Sequence, residues 1–246
     1  MTSGHPGRSR GDGPARRHAH ASVRLGLTLR SVVLRPREGY AAAMRTGERR
    51  ARAGERLPEG VTPYVLALAG GAAGMCLWLK FGALAGLRHA RVADFDSGVL
   101  IAALLVGVVL GLAGQVLWGA VGSWCVARLG GRARARDLRL AWGASALPLV
   151  GVLVLLAPDL ILAGPGVFTI DPLGDAIATA WAALSIAVGI ALAVWSLWLF
   201  VRGVEVASGL RLRRAVPAVL AGAACFALLA GGLAMAGTLV ASKTVL

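Results

Sequence analysis

The chain has 246 residues, of which 57% are hydrophobic, and it carries a formal net charge of +14. A composition this apolar excludes an ordinary soluble domain. The charge is typical of a nucleic-acid-binding protein, but its placement argues otherwise. The arm before Val61 holds 13 Arg against five acidic residues, with Tyr40 as its one aromatic residue for base stacking. We therefore expect no nucleic acid among the partners.

The N-terminal arm divides into two parts. Residues 1–21 are rich in Gly, Ser, Pro and Arg, which predicts a disordered basic tail. Arg16 and Arg17 are not followed by a long apolar core or a cleavage site, so we expect the arm to be retained. Residues 22–58 predict a helical arm, in which Pro36 suits the first turn of a helix over Arg35–Ala53. This arm either lies at the lipid headgroup level or packs on the cytosolic loops, and the pattern leaves both open.

Five apolar stretches follow the arm, and each is long enough to cross a bilayer. A helix needs roughly 20 apolar residues to span about 30 Å of hydrocarbon, and its backbone must satisfy its own hydrogen bonds there. The stretches predict spans at about 61–82, 98–120, 141–163, 177–201 and 215–240. We therefore expect an all-α integral membrane protein, with residues 59–246 forming a bundle of five transmembrane helices behind a basic, partly helical cytosolic arm.

Charge alternates along the connections between these spans. The loop Ala127–Leu140 has five Arg against one Asp, and Arg202–Arg214 has four Arg against one Glu, whereas Ala157–Ala176 has three Asp and no basic residue. Because Arg and Lys bias loops toward the cytoplasm, the pattern predicts a cytoplasmic N-terminus and an extracytoplasmic C-terminus, in the cell (plasma) membrane.

The connection Ala157–Ala176 combines three Pro with several apolar residues. Proline and glycine interrupt helices, so we expect an external loop that lies on the bundle. A re-entrant loop that dips into the membrane is the alternative.

Small residues are dense in the spans, and their spacing predicts close helix packing. The candidate packing positions are Gly70, Gly74, Gly107, Gly111 and Gly114. They serve either contacts within the bundle or a dimer face. Polar side chains seek partners in hydrocarbon, so we expect Gln115 and Ser123 to face other helices rather than lipid.

The spans lack the residues on which membrane enzymes and ion-coupled transporters depend. With the span boundaries given above, no Asp, Glu or His lies well inside a span. Lys80 lies near the outer end of the first span, and we expect its side chain to snorkel to the interface. The four His lie in the arm or in a loop. There is neither a nucleophile elbow nor a phosphate-cradling glycine loop. We expect no enzyme, no catalytic residue, no cofactor and no metal site.

The two Arg-rich loops are the candidate docking sites for anionic lipids or an acidic partner. Their basic residues are Arg128, Arg132, Arg134, Arg136, Arg139, Arg211, Arg213 and Arg214. We expect them to form one continuous surface with Arg24, Arg30, Arg35 and Arg37. The simpler alternative is that they only orient the chain in the membrane.

Three segments resemble the Yip family of Ypt/Rab-interacting membrane proteins, in its bacterial form. The first is Val33–Glu38, which resembles the family's "Leu-x-Pro-x-x" lead-in. The second joins Leu129-Gly130-Gly131-Arg132 to Trp142–Pro148, a Gly-Gly turn and basic helix before the third span. The third runs from Trp195 through Gly203 and Ser208-Gly209-Leu210 to Arg214-Ala215. The "Asp-Leu-Tyr-Gly-Pro" signature of eukaryotic members is absent, which argues against a Rab-type partner.

The resemblance implies a non-enzymatic membrane protein that organises proteins or lipids, with no catalytic residues. We expect a scaffold or adaptor whose partners are the bilayer, its anionic lipids, and other membrane proteins or a second copy of the chain. The alternative is a small permease or a membrane subunit of a transporter, which the glycine-rich spans and Pro148 within the third span favour.

Overall fold

The computed structural model describes residues 30–52, 61–84, 97–168 and 175–224. Residues 30–34 are helical, and after them come the helices α1 (Pro36–Arg52), α2 (Val61–Leu84), α3 (Ser97–Arg128), α4 (Ala135–Ser145), α5 (Val150–Leu162) and α6 (Ala176–Ser208). Helix α7 begins at residue 212 and is described through 224, and no strand occurs in the described ranges. The predicted tail, the connection that contains His89, and the fifth span beyond residue 224 lie outside the described residues.

Four candidate membrane spans occur in this part of the chain. They are Thr62–Phe81, Gly98–Arg128, Ala135–Leu162 and Ala176–Ser208. Each is long and apolar enough to cross hydrocarbon, which confirms an all-helical, multi-pass membrane protein. The count of five stays a prediction.

The spans run alternately up and down. A side chain added at Gly107 would meet Gly71 and Met75, whereas one at Gly111 would meet Ala67, so α2 and α3 are antiparallel. Lys80 of α2 contacts both Asp159 of α5 and Ser185 of α6. Because the spans alternate, the helix ends at Arg128, Ala135 and Ser208 lie together at the opposite end of the bundle from these contacts. We call that end the basic end.

The third span is broken near Pro148 into α4 and α5. Proline lacks an N–H and disfavours a helical residue before it, and the chain passes the break through short turns, with the Ala146 N–H donating to the Gly143 carbonyl at 3.2 Å. The hydroxyl of Ser196 on α6 donates to the Ser145 carbonyl at 2.7 Å. A neighbouring span thus satisfies a backbone group that the break releases.

The connection Ala157–Ala176 begins later in the chain than its prolines suggest. Helix α5 passes through Pro158 to Leu162, and the 3-10 helix Gly164–Phe168 follows directly. Phe168 is fully buried against the bundle. The prediction of a loop from Ala157 is therefore wrong for its first residues, because apolar contacts with the neighbouring spans carry the helix past the proline.

Candidate functional site: the basic end of the bundle

A left-handed glycine turn closes α6 at the basic end. Gly209 has φ = 68°, and its N–H donates to the Glu205 carbonyl at 3.0 Å. Because only glycine adopts this conformation without steric cost, the turn sends the chain sharply back into α7. The Leu210 side chain beyond it is buried.

The two Arg-rich loops meet at this turn. The Arg132 N–H donates to the Ser208 carbonyl at 3.2 Å, and the Leu210 side chain packs close to Gly131 and Val126. The structure thereby brings together two loops that are about 80 residues apart in the sequence. They form one side of the basic end.

Most of the predicted docking arginines are exposed there. The exposed ones are Arg128, Arg132, Arg134, Arg211, Arg213 and Arg214, whereas Arg136 and Arg139 are half-buried. Arg128 lies over the ring of Trp124, with 5.1 Å between its guanidinium carbon and the ring centroid. The side chain of Arg139 packs against Gly119 of α3 and so contributes less to the surface.

Helix α1 packs across the basic end through Tyr40. This ring is fully buried beside Gly203 of α6, and its hydroxyl donates to the Ala141 carbonyl at 3.4 Å. Burial raises the pKa of Tyr40 well above its usual value, because a phenolate would be poorly solvated there. The hydroxyl therefore stays neutral, and the described part of the arm is a helix docked on α4 and α6.

An ion cluster fixes the start of α1. The buried carboxylate of Glu205 binds Arg37 of α1 and, at 2.8 Å, Arg202 of its own helix. Arg202 also stacks on Trp198, with 4.2 Å between the guanidinium carbon and the ring centroid. One opposing charge and a ring face hold Arg202 in place. Sequence reasoning placed Glu205 in a connecting loop, whereas α6 extends to Ser208 and includes it.

A cavity of about 720 Å³ opens beside this cluster. Its lining combines four guanidinium groups, one carboxylate and an apolar floor. The lining residues are Arg37, Arg202, Glu205, Val206, Gly209, Leu210, Arg211, Leu212 and Arg213. With four positive charges against one negative charge, it attracts anions.

A second polar group, at the opposite end of the bundle, was missed by sequence reasoning. Lys80 and Asp159 form an ion pair, and both side chains are fully buried. The expectation that Lys80 snorkels is wrong, as is the assignment of Asp159 to an external loop. A buried charge needs a partner, and the helix that continues past Pro158 supplies one.

One further acceptor, the Ser185 hydroxyl oxygen, and one further donor, the Trp181 indole N–H, complete this group. The Lys80 ammonium contacts the Ser185 hydroxyl at 3.0 Å, and the Trp181 indole N–H donates to the second Asp159 oxygen at 3.0 Å. We call Lys80, Asp159, Trp181 and Ser185 the polar cluster. It joins α2, α5 and α6, and each of its charged groups has more than one partner.

The predicted packing glycines differ in their surroundings. A side chain at Gly107 or Gly111 would strike the α2 backbone, one at Gly70 would strike Ala146, and one at Gly114 would strike Trp142. Gly74 has no neighbouring atom within 4 Å of the place a side chain would take. Gly71, which was not among the predicted packing positions, lies where α2 approaches α3 closely: a side chain there would strike the backbone of Gly107 and Gly111.

Gln115 and Ser123 of α3 find their partners differently. Gln115 is fully buried, and its amide nitrogen donates to the Arg139 carbonyl of α4 at 3.3 Å. The half-buried Ser123 donates to the Ala120 carbonyl of its own helix at 2.7 Å. Gln115 therefore faces another helix, as expected. The hydroxyl of Ser123 instead finds its hydrogen-bond acceptor within its own helix.

Within the described residues, no three His, Cys, Asp or Glu lie close enough together to hold a metal ion. A search among curated proteins and a search among solved structures each find no significant match. The family model of the Yip1 domain matches residues 31–235, which include every described span and α1. The chain therefore belongs to the Yip1 domain family of membrane proteins.

Proposed function

We propose that this protein is a non-enzymatic membrane scaffold or adaptor whose basic end lies in the cytoplasm and binds anionic lipids and acidic protein partners. The observation that carries the proposal is the meeting of both Arg-rich loops with α1 at one end of the bundle. Six exposed guanidinium groups lie on these loops. Orientation in the membrane alone requires fewer charges.

The energetics favour lipid binding at this surface. A basic residue beside an anionic leaflet contributes about 1 kcal/mol, within a Debye length of the surface. Six such residues, even with strong discounting for salt and non-additivity, retain several lipid headgroups. The loops directly adjoin the ends of the apolar spans, which supports a position of these charges at the level of the lipid headgroups.

The test replaces Arg132, Arg134 and Arg136 by Gln and measures how much anionic lipid and how much protein partner remain bound during purification. We expect both to fall, and the loss to shrink as salt rises. The matched control replaces the same three residues by Lys, which keeps the charge. Unchanged retention in the Gln variant at low and moderate salt, with the topology preserved, contradicts the proposal.

The polar cluster favours a second candidate, a small permease or a membrane subunit of a transporter. Ionisable residues inside a bundle often mark a substrate pathway. Here, however, Lys80 and Asp159 satisfy each other and have no exposed surface. A closed group of this kind is what a structural role requires.

Cys76 distinguishes the two functions. It is a buried free cysteine on α2, one helical turn before Lys80. A permease must open a water-filled path beside this group, whereas a scaffold keeps it dry. In a variant whose other cysteines are replaced by Ala, a membrane-impermeant maleimide applied to either side should leave Cys76 unlabelled. Rapid labelling from one side favours the permease.

A further inference from the structure

The cavity beside Glu205 has a composition that the exposed Arg surface lacks. Its walls come from two segments of the chain: Arg37 of α1, and the continuous stretch that comprises the last turns of α6 and the turn into α7. The docked α1 thus adds Arg37 to a lining that is otherwise built by residues 202–213. A cavity that several elements build can select a ligand by shape, whereas an open charged surface attracts any anion.

The four guanidinium groups in this cavity have two different tasks. Arg37 and Arg202 are held by Glu205, and each keeps further N–H donors because a guanidinium carries five. Arg211 and Arg213 are exposed and form no ion pair with any described residue. Two oriented and two uncommitted guanidinium groups suit a phosphate, which accepts several charge-assisted hydrogen bonds at once.

The rest of the lining indicates where that phosphate comes from. Val206, Leu210 and Leu212 supply an apolar wall next to the guanidinium groups. A free phosphate ion has no apolar part that could contact such a wall. A phospholipid, in contrast, carries glycerol and acyl carbons next to its headgroup, and these can pack against it. Trp198, half-exposed on α6 and stacked under Arg202, has the amphipathic character of residues at the headgroup level.

We infer that this cavity binds the headgroup phosphate of one anionic phospholipid, with Arg211 and Arg213 as its direct ligands. The inference rests on the proposed function, and it narrows general attraction of anionic lipid to one defined site. Glu205 keeps Arg202 and Arg37 in place and leaves three of the four positive charges in excess. The lipid thereby also contacts α1 and links the arm to the bilayer.

The experiment uses the full chain, delipidated in a neutral detergent, and counts bound lipids by native mass spectrometry. Phosphatidylglycerol and phosphatidylcholine are titrated separately. Arg211→Gln/Arg213→Gln alters the cavity, and Arg45→Gln/Arg52→Gln removes the same charge from α1, outside the cavity lining and outside the two Arg-rich loops. We expect the first phosphatidylglycerol to bind about tenfold more weakly to the cavity variant, the size expected for the loss of charge-assisted hydrogen bonds, and less than about twofold more weakly to the control variant.

The possible outcomes separate the two claims. Equal weakening in both variants overturns the cavity site and leaves the proposed function standing. A wild-type protein that binds both lipids equally refutes the proposed function and the site together. Soluble glycerol 3-phosphate that binds as tightly as the lipid shows that a free phosphate is the ligand and overturns the lipid assignment. Arg211→Lys/Arg213→Lys, which keeps the charge but not the forked donors, should still bind more weakly than the wild type.

Discussion

At the scale of single residues, the Lys80–Asp159 pair is the feature whose burial costs the most desolvation free energy. Both side chains are fully buried, and charges removed from water require compensation by partners. The Ser185 hydroxyl accepts a second hydrogen bond from Lys80, and the Trp181 indole N–H donates a second one to Asp159. A pair of this kind stabilises little relative to apolar residues, but it penalises any arrangement that separates α2 from α5.

Breaking the pair from one side should be costly. Lys80→Met or Asp159→Asn leaves one group buried without its counter-ion, and we expect the free energy of unfolding to fall by about 3–5 kcal/mol. In the double variant most of this loss should disappear, because neither charge remains. Unfolding by SDS in mixed micelles, followed by circular dichroism, gives the values.

Ser185→Ala serves as a graded comparison for these variants, since it removes one hydrogen bond and should cost only about 1 kcal/mol. Additive effects of the two charge substitutions would contradict direct coupling between Lys80 and Asp159.

The residue pair also shows where sequence reasoning ends. Apolar length predicted the spans, but proline content placed Asp159 outside the membrane, and position alone suggested that Lys80 reaches the interface. The available signal for the ion pair was that Lys80 and Asp159 lie at similar depth in two apolar segments. Periodicity cannot reveal their contact, because it depends on how the helices rotate and pair.

At the scale of elements, the close approach of α2 and α3 depends on small residues. A Cβ at Gly107 would lie 2.6 Å from the Gly71 carbonyl oxygen and 2.9 Å from the Ala72 Cα. Backbone atoms cannot move aside as a flexible side chain does. Van der Waals contact drives helix association in lipid, so the glycine is what permits the contact.

Gly107→Ala should therefore push α2 and α3 apart and lower the free energy of unfolding by about 1–3 kcal/mol. Gly74→Ala is the matched control, because nothing lies within 4 Å of the added atom and alanine favours a helix by about 0.5–1 kcal/mol. Thermal unfolding in detergent compares the two. A Gly107→Ala variant as stable as the wild type would show that the helix pair tolerates separation.

Helix α1 is a second element whose contacts can be tested. Tyr40→Ala removes the buried ring that joins α1 to α4 and α6, and the helix should detach. Limited trypsin digestion should then cleave after the exposed Arg45 about tenfold faster, the effect of about 1.4 kcal/mol in local stability. Leu34→Ala is the control, since this side chain is 65% exposed. Equal digestion rates in both variants would contradict docking through Tyr40.

At the scale of the whole molecule, the two Arg-rich loops lie at the same end of the bundle. The described spans alternate in direction and bring Arg132 and Ser208 together, which agrees with the alternation of loop charge. The sequence predicted this because the charge of a loop is a local property. The docking of α1, the cavity and the extension of α6 through Glu205 depend on tertiary contacts, which periodicity does not encode.

Reporter fusions test the orientation directly. Fusions at Gly131 and Ser208 should report the cytoplasm, and fusions at Ser97 and Leu246 should report the outside, because the positive charge stays with the cytoplasm. Alkaline phosphatase and a fluorescent protein give opposite readouts on the two sides. A cytoplasmic signal at Leu246 would mean an even number of spans.

The polar cluster has a consequence for biosynthesis. Lys80 is made 79 residues before Asp159, so α2 leaves the ribosome and meets the translocon while its counter-ion does not yet exist. During that interval the ammonium can reach water only by bending toward the near surface of the membrane. Arrival of α5 then draws it inward. Nascent chains that stall before Asp159 should consequently hold α2 loosely in the bilayer, and membrane quality-control proteases should remove them sooner than chains that stall after it.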